Sequence, residues 1–212
     1  MARFSNEQKA MLDELMQEKI CKATAGIIVE YGIEKMTMDK VAESAGVAKG
    51  TIYNYFKDKN QLLDTIGGIV FNPIFKRISK LTDSNAEALL KLEEIARILL
   101  EAFNRHKKLF ILLHEGRMSG MSGKNNPLEK RIQLISIIEK IIDSGIKDGQ
   151  FCTSNSLAVA EIFIGMIMSI NISKITAGTE RPVQEDLNTL MTIFTKGIQK
   201  NATDCEDTKN EC

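Results

Sequence analysis

One glycine between two short amphipathic stretches constrains this chain more than any other feature. Residues 37–56 read Thr-Met-Asp-Lys-Val-Ala-Glu-Ser-Ala-Gly-Val-Ala-Lys-Gly-Thr-Ile-Tyr-Asn-Tyr-Phe. Thr37 is a natural N-cap, and Asp39 falls in the first turn, beside the positive end of the helix dipole. Gly46 stands at the turn, where glycine alone takes a left-handed backbone without strain. Val41, Ala45, Val47, Ile52 and Tyr55 are spaced to bury the inner faces of two short helices at a steep angle. Ala42 is small where the second helix would cross closely. The pattern is that of a helix-turn-helix.

The remainder is helical in period. Leu12, Leu15, Met16, Ile20, Ala23, Ile27 and Tyr31 recur at three- and four-residue steps, which predicts one buried face on a first helix ended by Gly32. A longer helix begins at Asp58, an N-cap with Gln61 three residues on, a variant of the capping box. Residues 85–105 are amphipathic, with Leu89, Leu92, Ile95, Ala96, Leu99 and Phe103 on one side. Residues 109–118 form a short apolar segment, and 119–126 a Gly/Ser/Asn loop ended by Pro127. Further helices are predicted over 128–146, 154–176 and 183–198, with stops at Gly149 and Gly178, and residues 201–212 read as a polar, disordered tail. No stretch alternates convincingly as a strand, and the 3 prolines all lie beyond residue 61. The predicted fold class is all-α. An N-terminal three-helix unit spans 1–58, its connecting helix running to about 80, and a larger helical domain spans 59–200.

Composition limits the functions open to such a chain. At 43% hydrophobic and 26% charged, its 212 residues have the balance of a soluble globular protein with one good core or two small ones. Lys+Arg and Asp+Glu number 28 each, so nucleic acid cannot be held by bulk charge and must be met by a local surface. Residues 1–80 hold 12 basic against 10 acidic side chains and the remainder 16 against 18, a weak bias of the right sign. Cys21, Cys152, Cys205 and Cys212 make no CxxC pair, and with only 2 histidines no zinc-ligand spacing exists, so neither metal nor cofactor is predicted. The thiols read as free in a reducing cytoplasm, with a redox role for Cys152 left open. The N-terminus turns charged at once, which predicts no leader. Apolar runs such as 158–170 fall short of the ~20 residues that span a bilayer, so a cytoplasmic protein with no membrane partner is expected.

The second helix of the pair, about 49–55, presents Lys49, Thr51, Tyr53 and Asn54, side chains able to bond phosphates and base edges in the major groove. Lys57 and Lys59 flank it. Around this segment the chain resembles the TetR/AcrR family of bacterial transcriptional regulators. The resemblance runs over about residues 16–66: Ile20 and Ala23, then Tyr31-Gly32-Ile33, Met36-Thr37-Met38, Val41-Ala42 with Ala45-Gly46-Val47, Lys49-Gly50-Thr51-Ile52-Tyr53 with Tyr55-Phe56, and Lys59 with Leu62-Leu63. It implies about nine helices, three of them in the DNA-binding unit, and a homodimer on a palindromic operator. It also places Thr37, Lys49, Gly50, Thr51, Tyr53, Asn54, Tyr55 and Lys59 at DNA-touching positions. Lys49, Thr51 and Asn54 are the candidates for base edges, and Thr37, Tyr55 and Lys59 for phosphates, with Tyr53 partly in the core. Ala48 departs from the family, which usually has Ser or Thr there, and this removes a helix cap.

Behind that unit, Gly67-Gly68 and Asn72-Pro73 interrupt the connecting helix, as either a compliant joint or a static kink. Phe103, His106, Phe110, His114, Met118, Met121, Phe163, Met166 and Asn171 are candidates for an effector pocket, against ordinary core packing. Val159, Ile162, Phe163, Met166 and Ile170 on one helix, and Leu187, Leu190, Met191, Phe194 and Ile198 on the last, form apolar stripes. In the family such stripes pair with a second copy. No nucleophile–base pair or phosphate-cradling loop occurs, so no enzyme is predicted. The expected function is a homodimeric repressor released from its operator by a small, largely apolar effector. The alternative is an architectural or division-site-marking DNA-binding protein without small-molecule input.

Overall fold

The computed structural model describes residues 6–107, 110 and 125–198. Eight helices lie among the described residues: α1 (Asn6–Tyr31), α2 (Met38–Ala45), α3 (Lys49–Tyr55), α4 (Lys59–Thr82), α5 (Ala88–Arg105), α6 (Pro127–Lys147), α7 (Ser156–Thr176) and α8 (Val183–Ile198). The all-α class is as the periodicity implies. The short segment over 109–118 and the tail over 201–212 lie outside the described residues.

The chain divides into two compact units between Phe71 and Asn72, inside α4. The first is built on a core where α1–α3 meet the start of α4. Ile20 and Ile28 from α1, Val41 from α2, Ile52 from α3, and Leu62 and Leu63 from α4 are each no more than 1% exposed. The start of α4 is fixed by a reciprocal pair: Asp58 Oδ1 accepts from the Gln61 amide at 2.8 Å, while Gln61 Oε1 reaches back to the Lys57 amide at 2.7 Å. This is the predicted capping box with its return bond shifted one residue toward the N-terminus. Asn125 also joins this unit, donating through its backbone and side-chain amides to Asp64 at 2.8–3.2 Å.

The first helix departs from its predicted face. Ile20 and Ile27 are buried, but Leu12 is 49% exposed, Leu15 55% and Tyr31 45%. For Leu12 and Leu15 the reason is length: at ~1.5 Å per residue α1 runs about 39 Å, whereas α2 runs only about 12 Å. Most of the first half of α1, up to Met16, which packs on the core, therefore overhangs it, and periodicity alone gives no sign of where the partner ends.

In the second unit α5 packs against both α7 and α8, and α7 against α8. Leu92, Ile95 and Phe103 of α5, Phe163 of α7, and Leu187 and Leu190 of α8 are buried at the centre. The Phe163 and Phe194 rings meet at 4.7 Å and 59°, a tilted pair. Helix α4 is continuous through Pro73, which is exposed, as are Asn72 and Lys76 beside it.

Candidate nucleic-acid interface

The turn between α2 and α3 sets the geometry of the surface. Thr37 takes extended backbone angles (φ −125°, ψ 155°), and its Oγ1 accepts from the Lys40 amide at 3.3 Å, capping α2. At the other end Gly46 is left-handed at φ 61°, ψ 44°. Its amide donates to Glu43 O, and the Val47 amide donates to Ala42 O, each at 3.0 Å. This crossed pair is a Schellman motif; it satisfies the last carbonyls of α2 and turns the chain sharply into α3. Ala48 at the N-cap of α3 makes no side-chain cap bond, as its methyl dictates.

Helix α3 buries Ile52 completely and turns its other faces outward. Lys49, Gly50, Tyr53 and Asn54 are exposed, and Thr51 and Tyr55 are half-buried. Tyr53 was expected to be partly core, yet it is 47% exposed: position 53 follows the single inward residue of a seven-residue helix. Gly50 is surrounded by open space, with nothing within 4 Å of where a Cβ would sit. No internal packing requires a glycine there.

Besides Thr37, three of the candidate DNA contacts already hold partners within the chain. Lys49 Nζ lies 2.6 Å from Asp39 Oδ1, an exposed ion pair between α3 and the first turn of α2, and Asp39 raises the pKa of the Lys49 ammonium. The Tyr55 hydroxyl donates to Asp13 Oδ1 at 2.9 Å, and this bond raises the phenol above its ordinary pKa. Lys59 Nζ donates to the Ile33 carbonyl at 2.7 Å, just beyond the end of α1. Asp13 and Asp39 escape a motif reading because their role appears only when α1, α2 and α3 are brought together.

The candidate effector residues fall into three groups. Phe103 and Phe163 are fully buried; His106, Phe110 and Met166 are half-buried; His114, Met118 and Met121 lie outside the described residues. Burial, then the nearby Arg105 charge, lowers the pKa of His106. Asn171 is 9% exposed, and its Oδ1 is buried with no hydrogen-bond partner. Burial pushes the Cys21 thiol up to about 11, which makes it an inert core residue.

Among the residues expected to face a second copy, Leu187, Leu190, Met191 and Phe194 are turned into their own chain, each 9% exposed or less. Helices α5 and α7 cover them, so a second copy is not needed to hide the α8 stripe. Ile162 is 59% exposed, Val159 and Ile170 are half-buried, and Ile193 on α8 is 61% exposed. A feature without a sequence signal lies nearby. Lys174 Nζ sits 2.5 Å from Asp186 Oδ2, whose other oxygen takes Arg181 Nε at 2.8 Å. This buried set ties the end of α7 to the start of α8.

An all-helical chain that presents a Schellman-turned helix pair from a small three-helix core is, by architecture, a helix-turn-helix protein. Residues 20–66 match the family model for bacterial regulatory proteins of the tetR family. The HTH-type transcriptional regulator YhgD of Bacillus subtilis is 31% identical over 135 residues, which cover 61% of this chain and 69% of YhgD. The chain belongs to the TetR family: it is a DNA-binding transcriptional regulator. The HTH-type transcriptional repressor KstR2 of Mycobacterium tuberculosis is 21% identical over 202 residues, 94% of this chain and 98% of that one. The fold is shared with the solved regulator FadR from Bacillus subtilis in complex with stearoyl-CoA, at a TM-score of 0.71 and 20% identity over 86% of this chain and 99% of that one. These relatives are named as regulators and not as enzymes.

Proposed function

We propose that this regulator is a homodimeric repressor that grips a palindromic operator and lets go when a small, largely apolar effector binds. The face of α3 carries the reading: Ile52 anchors the helix, while Lys49, Tyr53 and Asn54 project outward around a Gly50 that no packing demands. A glycine inside a helix costs about 1 kcal/mol against alanine, and close approach of a DNA backbone offsets that cost. In this reading Lys49, Thr51 and Asn54 meet base edges, and Thr37, Tyr55 and Lys59 meet phosphates.

Dimerisation is supported by the unburied part of the α7–α8 surface. Leu157, Ile162, Met168 and Ile193 are between 42% and 61% exposed on two neighbouring apolar helices, and a second copy would cover them. A two-fold of this kind sets two recognition helices on one face of DNA, about 34 Å apart or at a wider spacing. The effector reading is supported by Asn171. An unmet buried oxygen costs roughly 1–3 kcal/mol, and a donor on a ligand whose apolar body lies against Phe103, Phe163 and Met166 would satisfy it. The KstR2 relative is named a repressor, and the FadR relative holds an acyl-CoA. The protein acts in the cytoplasm, where the operator lies.

Selection of duplexes from a random pool tests the whole proposal. Recovered sites should share one two-fold symmetric sequence and bind two copies of the chain, and a stearoyl-type ligand series should release them. A pool with no common sequence contradicts it.

A further inference from the structure

The Lys49–Asp39 pair is a charge-neutral unit on the surface where the regulator meets a polyanion. Lysine is a strongly hydrated point charge on a flexible stem, and a phosphate binds it as readily as any other anion. Left alone, Lys49 would add one unit of sequence-blind attraction. Asp39 occupies that charge at 2.6 Å, with both side chains more than half exposed (59% for Lys49 and 65% for Asp39), so the pair lies open to an approaching duplex. Asp39 is also fixed: it lies two residues after the Thr37 cap, in the first turn of α2. Its carboxylate therefore holds the ammonium at the leading end of α3, Lys49 being the first residue of that helix.

We infer that Asp39 is a specificity-determining residue: it withholds Lys49 from lone phosphates and presents it, already oriented, to base edges. A phosphate must displace a carboxylate of equal charge and gains little by doing so. A base edge that offers two acceptors, as guanine does with O6 and N7, receives an ammonium whose rotamers are already restricted. This rests on the proposed DNA-reading role of α3.

The test uses the full-length protein, the duplex enriched by the wild type, and a scrambled duplex of the same composition, over about 0.05–0.3 M salt. Asp39→Asn should tighten the scrambled duplex by about twofold to fivefold and steepen its salt slope by about 0.9 per copy of the chain, or about 1.8 for the dimer, as one cation in each copy becomes free to replace counterions. Affinity for the enriched duplex should change less, so the discrimination ratio falls. Asp39→Glu, which keeps the charge, should behave as the wild type. In a Lys49→Ala background the effect of Asp39→Asn on the scrambled duplex should largely vanish. An undiminished effect there would mean simple repulsion of DNA by Asp39 and would overturn the inference. So would equal tightening of both duplexes. A wild type that enriches no sequence overturns instead the DNA-reading role on which the inference stands.

Discussion

The Tyr55 hydroxyl donates to Asp13 Oδ1 at 2.9 Å, tying the last turn of α3 to the overhanging half of α1 across 42 positions of sequence. The bond steadies the ring but uses the hydroxyl's only proton, so Tyr55 meets a phosphate by exchanging Asp13 for it, and in the meantime it links α3 to the part of α1 ahead of Met16. Tyr55→Phe removes both roles. Binding to all duplexes should weaken by about twofold to tenfold, the range for one neutral hydrogen bond, with discrimination between sequences preserved. Titration against the enriched and scrambled duplexes checks this; a loss confined to one sequence would show that Tyr55 reads a base.

Gly50 separates stability from binding. Nothing lies within 4 Å of a Cβ built on it, so Gly50→Ala should raise stability by about 1 kcal/mol through helix propensity. The same methyl should reduce DNA affinity by about tenfold, because it would stand between the helix backbone and the phosphates. Thermal unfolding and duplex titration on one sample decide it. Tighter binding together with higher stability would mean that DNA does not approach this point.

The legibility of the fold follows from how local each determinant is. The α2–α3 turn is written in adjacent residues: Thr37 caps, Gly46 turns, and Ile52 buries. Thr37 and Gly46 stand where the pattern places them because their hydrogen bonds span no more than five residues, and Ile52 does because helical period alone marks the inward position of α3. The outward set on α3 is readable for the same reason. What the pattern does not carry is anything set by a partner element. Leu12 and Leu15 match a buried face and yet stand exposed, because α2 is too short to reach them. The stripe of Leu187, Leu190, Met191 and Phe194 reads identically whether α5 and α7 or a second copy covers it. Lys174 in an apolar helix and Asp186 in the first turn of the next become a pair only once the turn between them is folded.

Asn171 offers a test of the effector reading with stearoyl-type ligands as the probe. Asn171→Leu replaces an unmet buried oxygen with an apolar side chain of similar size, which should leave stability unchanged or raise it by up to about 2 kcal/mol. Release from DNA by stearoyl-type ligands should require at least about tenfold more ligand. Destabilisation by the change would show that Asn171 serves the fold alone.

Asp186 and Lys174 are 3% exposed and paired, so breaking the pair should be far worse than deleting it. Asp186→Asn leaves a buried ammonium without its counter-charge and should cost about 3–5 kcal/mol, whereas Lys174→Met with Asp186→Leu should be near neutral. Denaturant titration of the two variants gives the comparison. Equal losses in both would mean that the α7–α8 connection depends on packing and not on the charges.

The central claim is that the outward face of α3 reads DNA sequence, and Lys49 and Asn54 carry most of it. The direct measurement is the ratio of affinities for the enriched and scrambled duplexes, in the wild type and in Lys49→Ala/Asn54→Ala, with dimer mass and helicity followed alongside. The double variant should remain folded and dimeric while its ratio falls to about one. A folded variant that keeps the wild-type ratio would contradict the assignment of α3 as the reading helix.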